Sequence, residues 1–270
     1  MRQVSRADVV RGRGSSSVSR LAFPYGAARP SNDVRRRRGR RRRRDLRRWL
    51  GLSIAALLML TALPVLALRV LDPPTSAFMI AYRLGAGTDD PRLRYRWVDY
   101  SDIAAPAKIA VIAAEDQRFK DHFGFDVQEI VASIDEARDG GRLRGASTIT
   151  QQVAKNLFLW SGQSLVRKAL EAYFAVLLEL SWPKSRILEV YLNVAEFGHG
   201  VYGVEAAADR FFRKHAAQLN PWEAARLAAV LPSPRRWRAD APSAHVRARQ
   251  VWIMAQVRAL GGDAYLAALD

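Results

Sequence analysis

The chain has 270 residues, no cysteine and a formal net charge of +17. Without cysteine, disulfide, thiol and cysteine-ligated zinc chemistry are excluded. Residues 1–48 hold 17 Arg against Asp8, Asp33 and Asp45, a net of +14, so only +3 belongs to residues 49–270. A nucleic-acid-binding domain would carry a basic face of its own, and that class is set aside.

In chain order, residues 1–34 are rich in Ser, Gly, Arg and Ala without an apolar period, which predicts disorder. The Arg run 35–48 extends this into a solvated tail, 1–48, because like charges so dense repel. From Trp49 to Leu68 no residue is charged for 20 residues, about the ~20 a membrane-spanning helix needs. A cleaved signal peptide is the rival, but its apolar region is typically ~7–15 residues and ends in small residues. This run is longer and ends in Arg69-Val70-Leu71-Asp72-Pro73-Pro74. We therefore expect a transmembrane helix over 49–71. The arginines before it place the N-terminus in the cytoplasm and everything from about Asp72 across the membrane.

Residues 72–100 read as a linker and approach segment, with one short strand within Arg92–Tyr100. Beyond Ser101 the pattern is helical and predicts a mainly α domain over 101–270. Asp126 starts a helix to about Arg138, stopped by Gly140-Gly141. Thr148 and Gln151 have capping-box spacing for a helix through Phe158. Ser164 caps the next, to about Leu180, and Pro183 suits the first turn of one ending near Asn193. Asn220-Pro221-Trp222-Glu223 is the strongest helix start, and a last helix runs from about Ala244 to Leu260, closed by Gly261-Gly262.

Four stretches bear on chemistry. Glu115-Asp116 closes the apolar run Ile109–Ala114 and leads into Phe119, His122 and Gly124. A carboxylate on a rigid element beside a cleft is what a general base requires, although a charged helix end explains the same residues. Gly145 to Asn156 packs Ser147, Thr148 and Gln152 at a helix start, with Lys155 on the same face as Gln152. Free N–H groups and the dipole suit phosphate there; a capped polar surface helix is the plainer alternative. Arg167-Lys168-Ala169-Leu170-Glu171 offers an i,i+4 pair worth only ~0.2–0.5 kcal/mol on a surface. The apolar run that follows Glu171 argues against a surface. Finally, Ile187, Leu188, Tyr191 and Leu192 form a core stripe, and Glu189 and Asn193 read as structural. Ser181-Trp182-Pro183-Lys184 fits the S-x-x-K pattern of transpeptidases, but nothing downstream supplies that domain's other motifs.

Taken together, E-D-x-x-F-x-x-H-x-G, G-x-S-T-I-T-Q-Q-x-x-K-N, R-K-x-x-E, K-x-x-I-L-E-x-Y-L-N and a late L-P-S-P occur in one order. Over residues 96–236 the chain resembles the family 51 peptidoglycan glycosyltransferases, and in particular their monofunctional biosynthetic members from Gram-negative bacteria. The resemblance implies a lysozyme-like, mainly helical glycosyltransferase domain behind a single N-terminal transmembrane helix. It implies polymerisation of lipid II into β-1,4 glycan strands at the inner membrane, with the catalytic domain periplasmic and undecaprenyl diphosphate released with inversion. By position, Glu115 matches the general base and Lys155 the diphosphate-binding lysine, with Ser147, Thr148, Gln152 and Asn156 in the same cleft. Arg167 and Lys168 join the substrate-binding set. Glu171 matches a second essential acid that either positions groups or holds a divalent ion such as Mg²⁺, the one cofactor the resemblance leaves open. Partners implied are lipid II, the growing glycan, the membrane and other cell-wall synthesis or division proteins, with no nucleic acid. One departure is Gln163, where the family pattern has an arginine on the donor phosphates. Two other classes compete: an anchored binding module without catalysis, and a lysozyme-like glycan-cleaving enzyme.

Overall fold

The computed structural model describes residues 32–138, 147–162 and 164–269. The expected disorder of 1–31, the Gly140-Gly141 stop, the Gly145-Ala146 start of the polar motif and Gln163 lie outside the described residues. The first helix, α1, runs Asn32–Leu68 and so corrects the expectation of disorder as far as residue 48. Arg is among the better helix formers. Adding residues to a helix that already exists avoids the cost of nucleation. Within α1, Asp45–Leu68 is long and apolar enough to cross a membrane. Leu57, Leu60, Leu63 and Leu66 are exposed along it, as a lipid-facing surface requires.

Residues 56–270 form one compact unit. The membrane end of α1 is tied to it by polar contacts. Thr61 Oγ1 lies 2.7 Å from the Tyr173 hydroxyl, and Trp182 Nε1 donates to Val65 O at 2.8 Å. Arg186 donates to the carbonyls of Leu68 and Leu71, capping the helix end.

The segment 72–100 is not a linker. It contains α2 (Ala77–Gly85), capped by Ser76 Oγ accepting from Met79 N, with Met79 and Tyr82 in the core. The strand expected in Arg92–Tyr100 is only β1 (Arg94–Tyr95). Next come α3 (Ala105–Glu115), α4 (Val127–Arg138), α5 (Ile149–Phe158), α6 (Leu165–Ser181) and α7 (Lys184–Val194). The chain continues through β2 (Glu196–Gly198), β3 (Val201–Tyr202), α8 (Val204–Phe212), α9 (Pro221–Val230), α10 (Ala244–Leu260) and α11 (Asp263–Leu266). The strands form one small sheet in the order β1-β3-β2, with β1 parallel and β2 antiparallel to β3.

Helix starts fall where local chemistry puts them. Thr148, Ser164 and Asn220 each accept a first-turn N–H, and Thr148–Gln151 and Asn220–Glu223 are complete capping boxes. The α7 stripe Ile187, Leu188, Tyr191 and Leu192 is buried, as its spacing predicts. Glu189 accepts from Tyr100 N, while Asn193 exchanges bonds with Val98 N and O, so both are structural. The helices form two packed groups, α5 with α6 and α7, and α9 with α3 and α10.

Gly203 starts α8 at φ 84° and ψ 148°, a conformation close to glycine-only, and a Cβ there would sit 2.7 Å from Asn193 O. Gly261 at φ 89° has open space around it. Gly203→Ala is expected to cost about 2–4 kcal/mol, from strain plus overpacking. Gly261→Ala is expected to cost about 1 kcal/mol, from strain alone. Thermal unfolding of the two variants side by side separates the contributions; equal losses would contradict the backbone clash.

Candidate active site

The buried run Ile109–Ala113 of α3, packed against α9, carries Glu115 to the helix end as a rigid arm. Asp116 then leaves the helix and fixes two other parts of the site. Its Oδ2 accepts from Ile149 N, the first residue of α5, at 2.9 Å. Its Oδ1 meets His122 Nε2 at 2.8 Å. The acid beside the candidate base is therefore a brace that docks α5 against α3.

Glu115 keeps 13 % of its side chain exposed, and its two oxygens have different surroundings. Oε2 accepts from Gln152 Nε2 at 2.9 Å, and Gln152 Oε1 accepts from the Tyr191 hydroxyl at 3.2 Å. This chain from the core through Tyr191 and Gln152 fixes the carboxylate plane. Oε1 is buried without a hydrogen-bond partner, and Arg249 Nη2 stands 3.7 Å from it. Burial pushes the Glu115 carboxyl above the ordinary carboxylate range. The Gln152 bond and the charges of Arg249 and Lys155 pull it back in part, and Asp116 adds to the rise.

Glu115 opens on a cavity of about 410 Å³ lined also by Asp126, Glu129, Ser147, Arg249 and Trp252. Arg249 and Trp252 come from α10, and Arg249 Nη2 also donates to Ala114 O at 3.3 Å. Sequence reading missed both. Nothing local separates Arg249 from Arg247 or Arg258 on the same helix.

One turn along α5 from Gln152, Lys155 has no hydrogen bond or ion pair among the described residues, and its ammonium lies 5.7 Å from the Phe78 ring centre. Burial lowers its pKa, while the nearby Glu171 and Glu115 raise it and Arg167 and Lys168 lower it further. Its donors are thus open to a ligand. The other α5 candidates differ. Thr148 donates its hydroxyl to Gly124 O at 2.7 Å and accepts from Gln151 N, so its polar capacity goes to the cap and the turn. Asn156 is buried in α5.

On α6, Glu171 is buried and held by two cations. Oε2 accepts from Arg167 Nη1 at 2.6 Å and Oε1 from Lys168 Nζ at 2.5 Å. Lys168 also reaches Ser147 Oγ at 3.3 Å. The Arg167–Glu171 pair is largely buried, as the apolar run after Glu171 leads one to expect, because α6 turns that face inward against α5. With both oxygens taken and Lys155 nearby, the donor set at Glu171 does not suit a divalent cation. Ser181 and Lys184 form no catalytic pair. The serine donates to Leu177 O, and the lysine binds Glu179 at 2.7 Å and His122 O at 2.7 Å.

A carboxylate with an open, buried oxygen therefore faces a cleft, and free or half-free cations stand beside it. Matches to known proteins agree with that class. The transglycosylase family matches residues 86–258. The biosynthetic peptidoglycan transglycosylase of Xanthomonas euvesicatoria pv. vesicatoria (strain 85-10) is 58 % identical over 229 residues, 83 % of this chain and 92 % of that protein. Proteins of the same name from Ectopseudomonas mendocina (strain ymp) and Xylella fastidiosa (strain 9a5c) are 52 % identical over 225 residues and 51 % over 222. They cover 83 % and 81 % of this chain and 93 % and 91 % of their own lengths. The chain belongs to the transglycosylase family: a glycosyl-transferring enzyme with a mainly α, lysozyme-like domain behind one N-terminal apolar helix.

Proposed function

We propose that this chain is a peptidoglycan glycosyltransferase that polymerises lipid II into β-1,4 glycan strands and releases undecaprenyl diphosphate. The observation that carries the reading is Glu115 Oε1, a buried acceptor with no hydrogen-bond partner at the edge of a cavity. Leaving such an atom unpaired costs about 1–3 kcal/mol, which is accounted for if a substrate hydroxyl supplies the missing proton. Glu115 takes the proton of the acceptor sugar's 4-hydroxyl as that oxygen attacks the anomeric carbon of the donor. The bond from that carbon to the diphosphate breaks, its electron pair leaves on the diphosphate oxygen, and configuration inverts. Lys155, with Arg167 and Lys168 held by Glu171, stabilises the charge that develops there. Glu171 acts by positioning those cations, and no metal enters the scheme.

The arginines before the anchor support a catalytic domain on the periplasmic side of the inner membrane. Full-length protein in neutral detergent, given fluorescent lipid II, is expected to yield a ladder of polymer on a gel. No change would favour a binding module, and cleavage of added glycan a hydrolase. Lys155→Gln is expected to raise the KM for lipid II by roughly 10–100-fold, the worth of a charge-assisted hydrogen bond. An unchanged KM would place the diphosphate elsewhere.

A further inference from the structure

Outside the Glu115 site, the late Leu231-Pro232-Ser233-Pro234 motif leads into a second cavity that the transfer reaction does not use. This cavity has a volume of about 550 Å³ and is lined by Arg92, Arg94, Arg210, Arg235 and Arg238, with Asp240 the one acid among its lining residues. Its volume falls within the ~300–1,000 Å³ typical of small-ligand sites.

The walls are fixed by packing. Gly198 lies against Phe211, where a Cβ would stand 2.7 Å from the ring. Gly200, at φ 73°, leaves room for the Tyr82 hydroxyl, which donates to Pro91 O at 2.6 Å and so fixes the approach to Arg92. Arg235 offers Nε to both oxygens of Glu196 at 3.1 Å, and Arg238 forks onto Asp240 at 3.0 and 2.8 Å. Arg92, Arg94 and Arg210 have no ion pair among the described residues. Five guanidiniums thus share one concavity with a single lining carboxylate, Asp240, while Glu196 holds Arg235 from outside the lining. Like charges gathered in a concave surface repel one another and raise the local potential for an anion. Guanidinium forks match phosphate oxygens in pairs, which a single ammonium does not do.

We propose that this cavity is a second anion-binding site, separate from Glu115 and Lys155, for a phosphate-class oxyanion. A free diphosphate and a phospholipid headgroup share that chemistry. The probe is inorganic pyrophosphate, titrated calorimetrically into the full-length protein in neutral detergent at low salt. The Lys155→Gln background removes a principal diphosphate contact at the active site. Binding there is expected to weaken by roughly tenfold or more in Arg94→Gln/Arg210→Gln, and to fall steeply with added salt. Both arginines are exposed and carry no ion pair, so the fold is expected to survive, as thermal unfolding will show; Arg92→Gln gives an independent reading. Nanodiscs identify the source. Pyrophosphate displaced from the cavity by phosphatidylglycerol but not by phosphatidylcholine assigns a headgroup, and equal binding in both assigns a soluble anion. No pyrophosphate binding in the Lys155→Gln background, or binding indifferent to the arginine substitutions, overturns the proposal.

Discussion

Glu115→Gln is expected to abolish most polymerisation while leaving the protein folded. The amide keeps the size of the carboxyl and can still bond Gln152, but it cannot accept the hydroxyl proton. General-base catalysis typically contributes ~10²–10⁴-fold, so kcat should fall by at least ~100-fold with lipid II binding largely retained. The raised pKa also fixes the sign of the stability change. A group whose folded pKa lies above its unfolded value stabilises the fold at low pH, and that contribution is lost as pH rises through the folded pKa. At pH above that raised value the ionised Glu115 is therefore a burden on the fold, and Glu115→Gln should unfold at the same temperature as the parent or higher. Lost activity together with a lowered Tm would point to a structural role instead.

Glu171→Gln is expected to fail differently. Glu171 is 3 % exposed and its partner Arg167 12 %, so neutralising the acid strands a guanidinium away from water. Removing one member of a buried pair costs about 3–5 kcal/mol. Lys168 is half exposed, and its bond adds little to that. Allowing for the partial exposure, a loss of about 3 kcal/mol should lower Tm by roughly 6–12 °C in a domain of this size. Arg167 and Lys168 would also lose their anchor, so the KM for lipid II should rise more than kcat falls. An unchanged Tm, with activity that becomes sensitive to Mg²⁺, would instead support an ion-holding carboxylate.

What could be read from the sequence was local or carried by motif. The caps at Thr148, Ser164 and Asn220 are decided within four residues, and each helix starts where its cap stands. Glu115, Gln152, Lys155 and Glu171 stood out because polar residues cluster where core would be cheaper. Their partners did not. The motif puts Gln152 in the cleft but does not show that its amide holds Glu115, a contact that depends on α5 docking on the Asp116 carboxylate. Arg249 reaches the site from a helix 135 positions beyond Ala114, and no spacing rule links the two. The helix α2 was lost in a supposed linker because it is short and Ser76 is its only start signal; burial of Met79 and Tyr82 holds it in place.

The pH dependence of kcat, measured on full-length protein and on Glu115→Gln with lipid II saturating, tests the central claim most directly. Because burial holds the Glu115 carboxyl above the ordinary carboxylate range, the parent enzyme should lose activity as pH falls through that raised value. The residual rate of Glu115→Gln should show no such limb. A Glu115→Gln enzyme that polymerises at a near-native rate with the same acidic limb would contradict the assignment of Glu115 as the base.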